Sequence, residues 1–180
     1  MEGGINAWGG LKAEGPPQSN MSYFSPATKP EELMALAWYL EDGSHKFYSE
    51  MVEILEDREA KDLFQMLSKA EEGHKATLRK LYKEFSGVPS DEGFPGSVIS
   101  PEGDVMEGGI RVSEALKWAK GKKVKEILDL SISSETNAYD LYIKMERQMK
   151  DSRSGQVFQV LSKEEKQHLE RLSSLLERKI

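Results

Sequence analysis

The second half of this chain repeats the first at a fixed offset of 94 residues. Phe64-Gln65-Met66-Leu67-Ser68-Lys69 returns as Phe158-Gln159-Val160-Leu161-Ser162-Lys163. Glu41, Tyr48, Asp57, Glu71 and His74 return as Glu135, Tyr142, Asp151, Glu165 and His168. So many coincidences at one offset indicate a duplicated unit with pseudo-two-fold symmetry. All seven prolines lie in two windows, 16–30 and 88–101, and proline is excluded from helix interiors. The remaining stretches carry helical spacing, which predicts helices over about 30–56, 58–85, 123–149 and 152–178, with a short extra helix around 113–119. Thr28 with Glu31 reads as a capping box for the first helix. Asp57 and Asp151 read as caps of the second and fourth.

Joins of one or two residues make each helix pair an antiparallel hairpin, 30–85 and 123–178. The connection between them, 86–122, is too long for an ordinary loop inside a compact domain. It suits a crossover running the length of a four-helix bundle. The expected fold is therefore all-α, with residues 28–180 forming the bundle and 1–27 a tail.

Alternating steps of three and four trace the inward seam of each helix. The first carries Met34, Ala37, Glu41, Ser44, Tyr48, Met51 and Leu55; the second Phe64, Leu67, Glu71, His74, Leu78, Leu81 and Phe85. The third carries Leu128, Ser131, Glu135, Ala138, Tyr142, Met145 and Met149; the fourth Phe158, Leu161, Glu165, His168, Leu172 and Leu175. Every seam is apolar or small except for one glutamate, and two seams add a histidine one turn later. Four carboxylates facing one interior raise one another's pKa and cost several kcal/mol each when buried and ionised. Cations resolve that conflict. One Glu from each of two helices and Glu-x-x-His from the other two make the ligand set of a dinuclear carboxylate site.

A single Glu-x-x-His is most often a solvated pair, but here two of only three histidines occupy repeat-equivalent seam positions. The expected metal ligands are Glu41, Glu71, His74, Glu135, Glu165 and His168. Oxygen and imidazole donors suit iron or manganese, with zinc an alternative as loaded, and the absence of thiolate argues against structural zinc. Tyr48 and Tyr142 pack as core aromatics whose hydroxyls need partners, a ligand carboxylate on a neighbouring helix being the candidate. His45 lies off the seam, without a repeat equivalent, and is expected to be an exposed helix residue. Gly43 and Gly73 interrupt helix interiors beside the ligand turns, which suits close helix approach.

Composition narrows the rest. The chain has no cysteine, which removes disulfides, thiolate nucleophiles and iron–sulfur centres, and points to a reducing, cytoplasmic setting. A net charge of −6 argues against nucleic acid as a partner. No apolar run reaches the roughly 18–20 residues of a membrane span, and the N-terminus lacks the pattern of a signal peptide.

The segments Glu41-Asp42-Gly43-Ser44-His45-Lys46-Phe47-Tyr48, Glu71-Glu72-Gly73-His74, Glu135-Thr136-Asn137-Ala138-Tyr139-Asp140-Leu141-Tyr142 and Glu165-Lys166-Gln167-His168 resemble the rubrerythrin branch of the ferritin-like di-iron proteins. The resemblance covers about 31–178. It implies a ferritin-like four-helix bundle holding two iron ions, with Glu71 and Glu165 bridging them, and oxidation of the Fe(II) pair by hydrogen peroxide or dioxygen in oxidative-stress defence. Rubrerythrins usually carry a cysteine-ligated rubredoxin domain, so this cysteine-free chain is expected to use an external donor such as a rubredoxin-like protein. They also carry a further glutamate where Ala138 stands, so the expected site is a symmetric set of six ligands.

A shorter resemblance lies at the front, where Gly3-Gly4-Ile5-Asn6-Ala7-Trp8 and Gly15-Pro16 look like the end of a rhodanese domain without its cysteine loop. Two other roles fit the same bundle: ferroxidase-linked iron storage, or a structural bundle whose metals only hold the helices. The crossover allows hairpins to exchange between subunits, and a homodimer is expected.

Overall fold

The computed structural model describes residues 29–87, 90, 92–100, 104–149 and 152–180. The expected Thr28 and Asp151 caps and the 1–27 tail lie outside them. The described residues form helices α1 (Pro30–Ile54), α2 (Arg58–Ser86), α3 (Val112–Ala119), α4 (Val124–Gln148) and α5 (Ser152–Lys179), with a 3₁₀ turn at Glu107–Gly109. No strand occurs among them. This is the ferritin-like helical bundle that the duplicated hairpins imply.

The helix starts explain the register. Lys29 occupies the N-cap of α1, Pro30 follows at the first position, and Glu32 accepts the Lys29 N–H at 2.9 Å. With Pro30 as the first helical residue, Glu32 rather than Glu31 is the third, the one that reaches back to the cap amide. The repeat preserves this device: Glu126 accepts the Lys123 N–H at 3.0 Å ahead of α4. Asp57 caps α2 by accepting the Ala60 N–H at 3.0 Å, and Gly87 closes it in the left-handed region at φ 65°.

α1 packs on α2 and α4 on α5, and the two hairpins meet through α2 and α5. Every residue of the four traced seams is buried except Phe85, which is 38% exposed, and Met149, which is half-buried. A strict 3.5-residue seam drifts about 20° per heptad around a straight helix. Phe85 lies three heptads beyond Phe64, far enough to turn it outward. His45 also departs from expectation. It is half-buried, and its Nδ1 lies 2.9 Å from the Ser68 carbonyl, tying α1 to α2.

The core divides in two. One apolar cluster contains Met51, Phe64, Leu67, Ile127, Leu172 and Leu175; the other contains Met34, Leu78, Leu81, Met145, Phe158 and Leu161. Each fully buried side chain of this size contributes roughly 1.5–3 kcal/mol of transfer free energy. The crossover passes from one cluster to the other. Phe94, Val98, Ile99 and Val105 join the second, while Met106, Ile110, Val112, Ala115 and Ala119 join the first. Its 3₁₀ turn packs against both α4 and α1, and α3 packs against α1.

Candidate metal centre

Between the two apolar clusters lies a polar layer. Glu41, Glu71, Glu135 and Glu165 are each 0% exposed, and His74 and His168 are nearly as enclosed. Two overlapping donor groups form, Glu41-Glu71-His74-Glu165 and Glu71-Glu135-Glu165-His168, each with its ligand atoms within 4.8 Å of one another. All six expected residues therefore meet, and Glu71 and Glu165 belong to both groups. The helices dictate this. The i,i+3 spacing sets each histidine beside its glutamate, with Nδ1 3.0 Å from Glu71 Oε2 in α2 and from Glu165 Oε2 in α5. The two imidazoles stack with centroids 5.6 Å apart.

The two hairpins complete each other. Tyr48 of α1 donates to Glu135 Oε1 of α4 at 2.5 Å. Tyr142 of α4 donates in the same way to Glu41 of α1. Each phenol thus orients a carboxylate of the opposite hairpin, leaving that carboxylate's second oxygen for the centre. His74 Nδ1 faces inward, 3.1 Å from Glu41 Oε2, while its Nε2 lies 2.7 Å from Glu164 Oε2. A carboxylate on the outer nitrogen fixes the imidazole orientation and raises its basicity as a ligand.

A fifth buried carboxylate stands beside the expected four. Glu107, from the 3₁₀ turn, is 0% exposed. Ser44 Oγ donates to its Oε2 at 2.9 Å, and Tyr142 OH lies 3.4 Å from its Oε1. Ala138 supplies no carboxylate, and the crossover sets Glu107 on the Glu41 side of the layer, outside both donor groups. Gly43 makes room for the crossover rather than for a helix. A Cβ there would stand 2.3 Å from the Val105 carbonyl oxygen and 2.6 Å from the Met106 Cα. Gly73 has nothing within 4 Å of its would-be Cβ, so close helix approach does not explain it. It lies on a cleft of about 380 Å³ between α2 and α5, lined also by Ala70, His74, Glu164, His168 and Arg171.

Burial is the largest influence on Glu71, Glu107, Glu135, Glu165, the two histidines and the two tyrosines, and it favours their neutral forms. It raises Glu71 well above the carboxylate range, reinforced by the charges of Glu165 and Glu41. It raises Glu107 likewise, with Glu41 and Glu165 adding to it. Glu135 is pushed up to about 8 by burial and the charge of Glu165, against the opposing hydrogen bond of His168. Burial disfavours the His168 cation, yet hydrogen bonds to Glu135 and Glu165 overcome it and push the ring up to about 10. His74 also rises, where the Glu41 charge and the Glu164 hydrogen bond outweigh burial. Burial would raise Glu165, but the two histidines beside it hold it well below the carboxylate range. Burial first, and neighbouring carboxylates second, keep Tyr48 and Tyr142 protonated donors.

Without a cation the layer holds protons where ligands need lone pairs. Both Glu71 oxygens and Glu165 Oε1 are buried without a hydrogen-bond partner, although His74 Nδ1 lies 3.0 Å from Glu71 Oε2 and 3.1 Å from Glu165 Oε1. Unpaired buried carboxylate oxygens are costly, and they belong to the two residues shared by both donor groups. The donor set fits a pair of divalent ions.

Sequence reasoning missed Glu107 and Glu164. Glu107 sits in an irregular stretch with no helical period; the Gly108-Gly109 after it, with φ 79° and 75°, is the one local sign of a sharp turn. Glu164 precedes Glu165 and falls off the traced seam, and its repeat equivalent is Ala70.

A family model described as Rubrerythrin matches residues 14–82 and 121–179. The stretch between the two matched segments contains the crossover residue Glu107. Among solved structures, a hypothetical protein from Pyrococcus furiosus is similar over 91% of this chain and 95% of its own, at 24% identity and a TM-score of 0.65, a likeness of fold. No curated protein matches the chain.

Proposed function

The chain belongs to the rubrerythrin family, and on that premise we propose that it is a non-haem di-iron oxidoreductase serving oxidative-stress defence. The observation that carries this reading is the pair of donor groups sharing Glu71 and Glu165, whose unpartnered oxygens lie buried between them. Glu71 and Glu165 would hold both ions, Glu41 and His74 one of them, Glu135 and His168 the other. A bound Fe(II) pair would supply the two electrons that, with two protons, convert one hydrogen peroxide to two waters; dioxygen is the alternative oxidant.

The protein's own part is to orient and to exclude. Tyr48 and Tyr142 hold Glu135 and Glu41 in place, and Glu164 fixes His74. The apolar clusters on either side keep bulk water from the layer, so charges inside it interact more strongly than in solvent. The cleft between α2 and α5 reaches both histidines and offers a small oxidant a path. With no cysteine in these 180 residues, re-reduction falls to an external donor such as a rubredoxin-like protein. A cytoplasmic homodimer is the setting proposed, and no described helix is long and apolar enough to cross a membrane.

The test is anaerobic loading with Fe(II) followed by titration with hydrogen peroxide. Two irons oxidised per peroxide, absent in Glu71→Ala/Glu165→Ala, is the expected result. Loaded protein whose iron stays Fe(II) under excess peroxide would sink the oxidoreductase reading.

A further inference from the structure

We propose that Glu107 is a seventh protein ligand of the metal pair, delivered by the crossover to the ion on the Glu41 side. This rests on the reading of the polar layer as a dinuclear metal centre. The local chain is shaped around inserting this one side chain. Gly43 lets residues 105–106 lie directly on the α1 backbone, where any Cβ would overlap the Val105 carbonyl. The segment then folds back on itself. Met106 N–H donates to the Ile110 carbonyl at 2.9 Å, Gly109 N–H to the Met106 carbonyl at 3.1 Å, and Val105 bridges Arg111. Gly108 and Gly109 turn the chain through positive φ immediately after Glu107, a conformation that L side chains rarely adopt.

Two serines seat the turn from the flanking helices. Ser134 Oγ of α4 donates to the Glu107 carbonyl at 2.7 Å. Ser44 Oγ of α1 donates to the Glu107 carboxylate at 2.9 Å. Ser44 holds the repeat position of Ala138, so the small residues at both places leave space between α1 and α4 for a carboxylate from elsewhere. Tyr142 OH contacts both Glu41 Oε1 and Glu107 Oε1, which places the carboxylate one phenol away from a residue of the first donor group.

A plug needed only to close the bundle would be apolar, like its neighbours Met106 and Ile110. A fifth carboxyl among four can ionise only at a cost of several kcal/mol unless a cation compensates it. The unpartnered oxygens of Glu71 and Glu165 mark where such cations would sit.

The experiment is anaerobic Mn(II) binding to the full chain and to Glu107→Gln, with a crystal structure of the Mn(II)-loaded wild-type chain. The expected result is two ions bound by both proteins, with one ion weakened by more than about 100-fold in Glu107→Gln, beyond what loss of an outer partner costs. In the wild-type crystal a Glu107 carboxylate oxygen should lie about 2 Å from the ion nearer Glu41. A smaller loss, or a loaded wild-type chain in which Glu107 stays on Ser44 without touching the ion, overturns the proposal. The crystal decides the matter even if Glu107→Gln fails to fold. Failure of the wild-type chain to bind two ions would instead refute the dinuclear reading itself.

Discussion

Loading the centre should expel protons in a countable number. In the metal-free protein, neighbouring carboxylates favour the extra protons on His74 and His168, and burial favours the neutral forms of Glu71, Glu107 and Glu135. As ligands, both imidazoles must be neutral on their inward nitrogens and the carboxylates ionised, so about four protons leave when two divalent ions enter, and about five where Glu107 joins the ligands as proposed. The sign follows from the raised values: protons compete with metal, so affinity rises with pH until the groups titrate by themselves. Each proton released changes the summed binding free energy by about 1.4 kcal/mol per pH unit. Four or five give roughly 5–7 kcal/mol per unit over the range in which these groups hold their protons. The slope flattens above about 8, where Glu135 ionises without metal. Calorimetric Mn(II) titrations under anaerobic conditions, in buffers of different ionisation enthalpy, read the proton count directly. Release of fewer than two protons per two ions would refute the argument that burial keeps this layer protonated.

Two further outcomes follow from the geometry. Tyr48→Phe leaves the buried Glu135 Oε1 without its donor and should lower metal-free stability by about 1–3 kcal/mol; an unchanged urea midpoint would show that the phenol is only packing. Phe64→Ala and Phe158→Ala each empty a fully buried ring position and should cost about 3–5 kcal/mol. Because the two rings occupy equivalent places in the repeat, denaturation should give similar losses for both, and a difference above about 2 kcal/mol would contradict that equivalence.

The six donor residues were legible because regular structure carries them. A helix converts spacing into a shared face, and the 94-residue repeat doubles the signal at each position. Glu107 was illegible for the opposite reason. Its burial comes from a turn in an aperiodic segment, held by Gly43 and two serines on helices far away in sequence. Glu164 escaped notice because it reaches across from the edge of α5 to the outer nitrogen of His74, a pairing that no count along one helix reveals. Phe85 shows the converse error, a periodic pattern carried past the point where the helix still faces the core.

The crossed phenol–carboxylate bonds bear on how such a chain can be assembled. One hairpin alone would hold a glutamate lacking its phenol and a tyrosine lacking its acceptor. Two copies related by a dyad would satisfy both at once, so the bundle is in effect a symmetric dimer interface enclosed within one chain. Joining the copies releases each from the obligation to match the other. Ser44 against Ala138, Glu164 against Ala70, and the crossover's Glu107 all add negative or polar groups to the Glu41–His74 side. Two ions held in the layer would therefore meet unlike surroundings, those nearer Glu41 and His74 being the more negative.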